Sequence, residues 1–338
     1  MKVDRLKGSR FLETYGVLIA FALLVLVNVI WQPGMFLRPE NLRNLINQNA
    51  ATGILAVGMT LVIVGGGIDL SVGSMMAFVA SIMVLAMDKL LALGRPEGLS
   101  VSLAVLACLA LGAAAGLLNG LVITLGRVAP FIATLAGLVA FRSVALALAD
   151  GGEVRANSAV LFPALGEGGI PIPFLRTPAG PLVITWSMLA FAAVALGAGF
   201  LLNSTRYGRH LIAVGANERA ARYSAIGVAQ VKTVSYTLMG LCVAIAAIGQ
   251  TARLNSVSTS QLGLSSELDA IAAVVIGGTS LAGGRGRIWS TVVGVLILGI
   301  ISNMLLLAGV SIYWQGFVKG AIILIAVLIQ RSDRSASS

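Results

Sequence analysis

Charged and aromatic residues are scarce in this sequence. Only 11% of the 338 residues are charged and 6% are aromatic, whereas 58% are hydrophobic. A soluble domain carries about 25% charged residues, so this chain has more apolar surface than a water-soluble fold can bury. Several apolar runs reach the roughly 18–25 residues that a helix needs to cross a bilayer. The composition therefore predicts an all-α, multi-pass membrane protein.

The side chains that enzymes, metal sites and nucleotide sites need are also scarce. His210 is the only histidine, and Cys108 and Cys242 lie in separate apolar runs. The net charge of +10 is not arranged as basic residues interleaved with aromatics, which is the pattern of nucleic-acid binding. No phosphate-binding loop of the form G-x-x-x-x-G-K-[ST] is present. We expect no catalysis, cofactor, metal or nucleic-acid partner, and membrane lipid as the surroundings.

The apolar runs predict about ten spanning helices in one transmembrane domain, 1–338. A cytoplasmic N-terminus then places 14 Lys and Arg residues inside and 7 outside, with Arg142 and Lys319 within spans, out of 23. This asymmetry follows the positive-inside rule and predicts that both termini are cytoplasmic. We expect a cytoplasmic tail at 1–13, an external loop at 150–180 that contains a weakly apolar stretch, 158–165, and a cytoplasmic loop at 203–232. The predicted spans are 14–31, 46–66, 70–87, 99–125, 130–149, 181–202, 233–252, 267–282, 288–308 and 312–330.

The polar loop 203–232 contains the signals of a short helix. Asn217 is suited to the N-cap position, Glu218 lies in the first turn, and Gly227 follows the end. We expect this helix to lie along the cytoplasmic membrane surface. Composition alone leaves open whether the loop is a functional element or a charged connection that retains the topology.

Two glycine-rich runs interrupt the apolar pattern, at 65–74 and at 277–286. The first contains Asp69, a carboxylate that must be solvated, paired or held at a helix N-terminus at this depth. We predict a broken helix in which Asp69, together with Ser71, caps the next segment, while a role in lining the solute path or a gate stays open. Aligning Gly66 with Gly277 gives an offset of 211 and suggests an internal repeat, although a chance match also fits.

A few polar residues lie inside the predicted spans. Asn and Thr offer weak hydrogen bonds that suit a passing polar solute, whereas structural pairing or snorkelling is the expected role of Arg142 and Lys319. Glu267 and Asp269 begin the predicted eighth span. The residues predicted for the translocation path or a gate are Asp69, Ser71, Asn119, Thr134 and Asn303.

Three motifs resemble the ribose, xylose and arabinose-type permeases of bacterial ABC sugar importers. The first is G-G-I-D-L-S-V-G at 66–73, and the second is G-G-T-S-L-A-G-G-R-G at 277–286. The third begins Y-G-R at Tyr207, but Ala225 stands where the family usually has the glycine before isoleucine. The resemblance extends over about 45–325 and implies that 203–232 is a coupling loop. Its predicted coupling residues are Tyr207, Gly208, Arg209, Gly215, Asn217, Glu218, Ala220 and Ala221.

The resemblance also implies partners and a location. A permease of this kind works in the bacterial inner membrane with a cytoplasmic ATPase subunit and an extracytoplasmic solute-binding protein. Because this chain has one coupling loop and an ABC pair presents two, a homodimer or a pair with a related permease is required. An ion-coupled secondary transporter and an ABC permease for a nucleoside or a branched-chain amino acid stay open as alternatives.

Overall fold

The computed structural model describes residues 2–158, 160–177, 180–311, 314–318, 320–322 and 324, and these residues are mostly helical. Seven of the described helices are long and apolar enough to cross a membrane, and a shorter apolar segment covers 16–31. The described helices are α1 Lys2–Trp31, α2 Pro39–Val64, α3 Val72–Ala92, α4 Glu97–Thr124, α5 Pro130–Ala147, α6 Leu161–Glu167, α7 Trp186–Ser204, α8 Arg206–Ala216, α9 Glu218–Tyr223, α10 Val228–Leu254, α11 Ser266–Ile276 and α12 Ile288–Leu307.

The described residues are mostly helical, as predicted, and two short antiparallel sheets lie in the connections. Strand β1, Glu153–Arg155, pairs antiparallel with β4, Ser256–Ser258. Strand β2, Gly169–Thr177, pairs antiparallel with β3, Gly180–Thr185. The predicted helix 181–202 therefore begins only at Trp186, where the Thr185 hydroxyl accepts a hydrogen bond from the amide of Met188. Backbone amide and carbonyl groups that lie away from water need hydrogen-bond partners. The short sheets supply these partners where helices end.

Helix α2 is the centre of the core. Every residue from Gly53 to Val64 is buried, so this helix is apolar on all sides, as expected for one surrounded by others. It begins at Pro39, seven residues before the predicted start, because Pro39 suits the first helical turn and Glu40 favours its positive end. The hydroxyls of Thr60 and Thr291 lie 2.8 Å apart and join α2 to α12.

Small residues bring α4 and α10 into backbone contact. A Cβ on Gly116 would lie 3.0 Å from the Cα of Gly240, and a Cβ on Gly112 would lie 2.5 Å from the Gly240 carbonyl oxygen. Lipid provides no hydrophobic drive for helices to associate, so close packing of small residues contributes to their contact. Gly112 and Gly116 thus have a packing role between α4 and α10.

The remaining predictions of helix ends differ from the structure in several places. The predicted tail 1–13 is helical from Lys2 onwards. The predicted eighth span, 267–282, is the 11-residue helix α11, which ends at Ile276. The weakly apolar stretch 158–165 overlaps helix α6, which buries Phe162. Most of the predicted tenth span, including Lys319, lies outside the described residues, so the count of ten helices stays a prediction.

The two glycine-rich runs form the same backbone turn. Helix α2 ends with hydrogen bonds from Gly66 N–H to Ile63 and from Gly67 N–H to Val62. After α11, Gly278 N–H bonds to Val275 and Thr279 N–H to Val274 in the same pattern. Gly66 and Gly278 have φ values of 81° and 84°, the left-handed conformation that closes such turns. These equivalent glycines are 212 residues apart, so the offset of 211 is wrong by one position.

Candidate functional site: a coupling segment on two glycine turns, and a buried polar cluster

The predicted coupling loop is mostly helical. Thr205 caps α8 by accepting a hydrogen bond from the amide of Gly208 at 3.2 Å. Asn217 caps α9 by accepting a bond from the amide of Ala220 at 3.0 Å, as the sequence predicted. Helix α10 begins at Val228, so Gly227 precedes α10 rather than ending α9. We call residues 205–227 the coupling segment.

Glu218 fixes the coupling segment to α10. Its carboxylate accepts hydrogen bonds from Lys232 at 2.6 Å and from Arg222 at 2.8 Å. The hydrogen bond from Lys232, followed by the attraction of both cations, lowers the pKa of Glu218 below its usual value. Because the Glu218 side chain is 42% exposed, solvent screens these interactions and each contributes little to stability. Their main effect is to hold α9 in place.

Ala225 closes α9 in a conformation that favours glycine. The amide of Ile226 bonds to the carbonyl of Ala221, and the amide of Ala225 bonds to that of Arg222, which is the Schellman pattern. The residue that closes it has φ of 58°. This position carries glycine in the family motif, and glycine adopts a left-handed backbone without strain. The departure at Ala225 thus places a strained alanine in the left-handed position of this turn.

The outward face of the coupling segment is basic and aromatic. Tyr223 is 92% exposed, and Arg209, Arg219 and Ala220 are exposed beside it. In contrast, Gly208 and Ala221 are buried. Burial raises the pKa of Tyr207 to about 12, and its hydroxyl donates to the Val231 carbonyl at 3.3 Å. The predicted coupling residues thus divide into an inward set that packs and an outward set that is free for contact.

The C-terminal end of α8 touches both glycine turns. A Cβ on Gly215 would overlap the carbonyl oxygen of Val64 and lie 2.7 Å from the amide nitrogen of Gly284. That amide donates a hydrogen bond to the same Val64 oxygen at 2.9 Å. A Cβ on Gly283 would lie 2.8 Å from the Gly215 carbonyl oxygen and 3.1 Å from Gly66 Cα. We call this contact of Gly66, Gly215, Gly283 and Gly284 the glycine junction.

A buried polar cluster lies at the start of α3. Asp69 Oδ1 accepts hydrogen bonds from the backbone amide of Ser71 at 2.9 Å and from its hydroxyl at 2.6 Å. The side-chain amide of Asn119 on α4 donates to the Ser71 hydroxyl at 2.8 Å. Asp69 and Ser71 are fully buried. Asp69 therefore accepts its hydrogen bonds from Ser71, the N-cap residue of α3, rather than from amides in the first turn of that helix. The Ser71 side chain makes no capping hydrogen bond to the first turn.

Thr134 and Tyr236 complete the cluster around Ile68. The Tyr236 hydroxyl donates to the Ile68 carbonyl at 3.3 Å, and Thr134 reaches the same oxygen at 3.4 Å while donating to Pro130 at 2.8 Å. Asp69 Oδ2 is buried and has no hydrogen-bond partner among the described residues. Tyr236 was missed at the sequence level, where the only available signal was an aromatic hydroxyl within an apolar run.

Asn303 does not belong to this cluster. It exchanges hydrogen bonds with Asn41 at 2.9 and 3.3 Å, near the start of α2 and the end of α12. This reciprocal pair satisfies both side-chain amides and has the geometry of a packing contact between two helices. Among the described residues, no three His, Cys, Asp or Glu side chains lie close enough to hold a metal ion.

Comparison with known proteins decides the family. A family model described as a branched-chain amino acid transport system permease component matches residues 41–327. The chain belongs to this permease family. It is 42% identical to the ribose import permease protein RbsC of Escherichia coli K12, over 93% of this chain and 92% of that protein. No solved structure matches it significantly.

Other relatives extend the similarity to a second named solute. The chain is 43% identical to the ribose import permease protein RbsC of Bacillus subtilis 168, over 97% of this chain and 95% of that protein. It is 34% identical to the xylose transport system permease protein XylH of Haemophilus influenzae Rd, over 96% of this chain and 97% of that protein. The resemblance to sugar-importer permeases is confirmed. The chain is a multi-pass transporter subunit of the inner membrane rather than an enzyme.

Proposed function

We propose that the chain is the permease through which an ABC importer passes a neutral monosaccharide, ribose or xylose, from an extracytoplasmic binding protein to the cytoplasm. The observation that carries this proposal is the 42–43% identity to ribose import permeases over more than nine tenths of the chain. A separate ATPase subunit supplies the energy. The ten-helix topology with both termini inside belongs to this proposal.

The coupling segment is the surface on which the ATPase docks. Its outward face presents Tyr223, Arg209 and Arg219, and tyrosine and arginine are the residues that most often carry interface energy. Its inward face is held by the Glu218 bonds to Arg222 and Lys232. A docking surface that is exposed on one side and fixed on the other passes a displacement of the ATPase on to the spanning helices.

The glycine junction supports the coupling role of α8. It contacts the backbone at the end of α2 and the backbone of the turn that follows α11, so a displacement of α8 reaches both repeats. Two ATPase subunits need two such segments. Since the described chain contains one, two permease copies form the transporter.

The cluster of Asp69, Ser71, Asn119 and Thr134 forms part of the gate region next to the junction. Its hydrogen bonds connect the start of α3 to α4 and the 65–71 turn to α5. Motion at the junction, only a few residues before Asp69, therefore changes the relative positions of three spanning helices.

Uptake of labelled sugar tests the proposal against its alternatives. In the host from which the gene has been deleted, wild-type chain should restore uptake of radiolabelled ribose or xylose. Uptake should persist when a protonophore collapses the ion gradient and should stop when the partner ATPase is inactivated. Uptake that follows the gradient would establish a secondary transporter, and uptake blocked by excess nucleoside or leucine would establish another solute class.

Co-purification tests the docking surface separately. The partner ATPase should co-purify in detergent with the wild-type chain and be lost with Tyr223→Ala combined with Arg219→Ala. Leu196→Ala on α7, where Leu196 is 75% exposed, is the matched control because it truncates an exposed side chain outside the segment. Equal retention by both variants would place the ATPase on another surface.

A further inference from the structure

Two ionisable side chains lie on a face that the coupling role does not use. Arg142 on α5 donates through Nη1 to the carbonyls of Thr259 at 2.7 Å and Leu262 at 3.0 Å. Glu267 lies in the first turn of α11, and a Cβ on Gly73 would lie 2.7 Å from its Oε2. Gly73 and Gly263 are in backbone contact. The 259–268 segment therefore packs against α3 and receives the Arg142 side chain.

Glu267 lies far from the outer surface, and Arg142 lies between the polar cluster and the external connection, because its acceptor Thr259 bonds to Gly152. Asp88 on α3 accepts a hydrogen bond from the amide of Asn157 in the external connection. Gly73 precedes Asp88 by 15 residues, a distance of about 22 Å along a helix, so the Glu267 carboxylate beside Gly73 is far from the outer surface. Arg142 follows Gly137 by five residues, about 7.5 Å along α5, and Gly137 lies against Ser71 and Asn119.

The same face is open. Leu135 and Val139 are 42% and 59% exposed and share a stripe of α5 with Arg142, since they precede it by seven and three residues. Leu264 and Leu268 flank Glu267 and are also exposed. Arg142 and Glu267 are themselves half-buried. Ionisable groups at this depth face a water-filled cavity or a partner rather than lipid.

We infer that this face, formed by the Leu135, Val139 and Arg142 stripe together with residues 264–268, is the wall of the water-filled solute path. The inference rests on the proposed importer function. Arg142 and Glu267 form no ion pair within 4 Å, so each keeps capacity to interact with water or solute. The Arg142 guanidinium offers donors and the Glu267 carboxylate offers acceptors to the hydroxyls of a passing polyol.

Cysteine accessibility tests this wall in the full chain in native membranes. Val139→Cys and Leu268→Cys should react with a small, membrane-impermeant methanethiosulfonate at least about tenfold faster than Leu106→Cys. Only the thiolate reacts, and apolar surroundings suppress it. Leu106 is the matched control because it is 61% exposed near the middle of α4, on a stripe without charges. The native Cys108 and Cys242 are buried and give a low background.

The charge of the reagent tests the role of Glu267. A cationic reagent should modify Leu268→Cys faster than an anionic one, and adding Glu267→Gln should reduce this preference by about threefold, as expected for one nearby charge partly screened by water. If Val139→Cys fails to insert, Leu135→Cys replaces it on the same stripe.

The outcomes separate this inference from the proposed function. Labelling does not require transport, so fast labelling at α5 and slow labelling at Leu106 would support the wall even if the imported solute proved not to be a sugar. Equally slow labelling at Val139, Leu135 and Leu268, with normal sugar uptake, would overturn the wall and leave the importer intact. If Glu267→Gln left the charge preference of the labelling unchanged, Glu267 would not be part of the wall.

Discussion

Replacing Gly215 by alanine should break the glycine junction. The new Cβ would overlap the Val64 carbonyl oxygen and lie 2.7 Å from the Gly284 amide nitrogen, so the hydrogen bond between these two groups must break or the helix must move. Forcing a methyl group into packed backbone costs about 1–3 kcal/mol, and a lost buried hydrogen bond costs about 1–3 kcal/mol. The higher helix propensity of alanine offsets about 1 kcal/mol. The net loss of stability is about 1–5 kcal/mol.

The matched control for this change is Gly197→Ala in α7. A Cβ on Gly197 meets no atom within 4 Å, so the substitution should leave the thermal unfolding midpoint in detergent unchanged or raise it slightly through helix propensity. Gly215→Ala should lower the midpoint by several degrees and lower sugar uptake by more than the loss of folded protein explains. A Gly215→Ala protein that unfolds at the same temperature as Gly197→Ala would refute the backbone contact on which the coupling argument depends.

Three further predictions concern the coupling segment and the polar cluster. Ala225→Gly should raise the stability of the segment by about 1 kcal/mol, since glycine relieves the left-handed strain; slower amide hydrogen exchange in α9 would show it. Glu218→Gln should lower stability by less than about 1 kcal/mol. The wild-type advantage should be full above the unfolded pKa of about 4.3, because a lowered folded pKa stabilises the ionised form, and should disappear in thermal melts as the pH falls through the folded value. Asn119→Ala should cost about 1–3 kcal/mol by leaving Ser71 without its donor, measured against Leu106→Ala by thermal unfolding.

Local chemistry explains which features were predictable. Asn217 as a cap and Glu218 in the first turn depend on a few neighbouring residues, so the sequence predicted the start of α9 correctly. The start of α2 was missed because the polar residues Glu40, Asn41, Arg43 and Asn44 look unsuited to a span. In the structure, Asn41 exchanges hydrogen bonds with the distant Asn303, a tertiary contact that no local pattern shows.

The polar cluster was predicted in composition but not in arrangement. Asp69, Ser71, Asn119 and Thr134 are polar residues within apolar runs, and each one was identified on that basis. The same argument selected Asn303, which instead pairs with Asn41. Polarity at membrane depth indicates that a side chain needs a partner, but it does not distinguish a partner in a gate from one in a helix contact.

The glycine junction connects the coupling segment to both glycine-rich runs. Gly66 and Gly278 end α2 and α11 with the same left-handed turn, and the coupling segment contacts Gly66 in the first run and Gly283 and Gly284 in the second. In the proposed coupling, a displacement of α8 acts on both glycine-rich runs, because backbone groups in contact cannot yield by changing a rotamer. Side chains at positions 215, 283 and 284 would supply that freedom, which gives a physical reason for glycine at these positions.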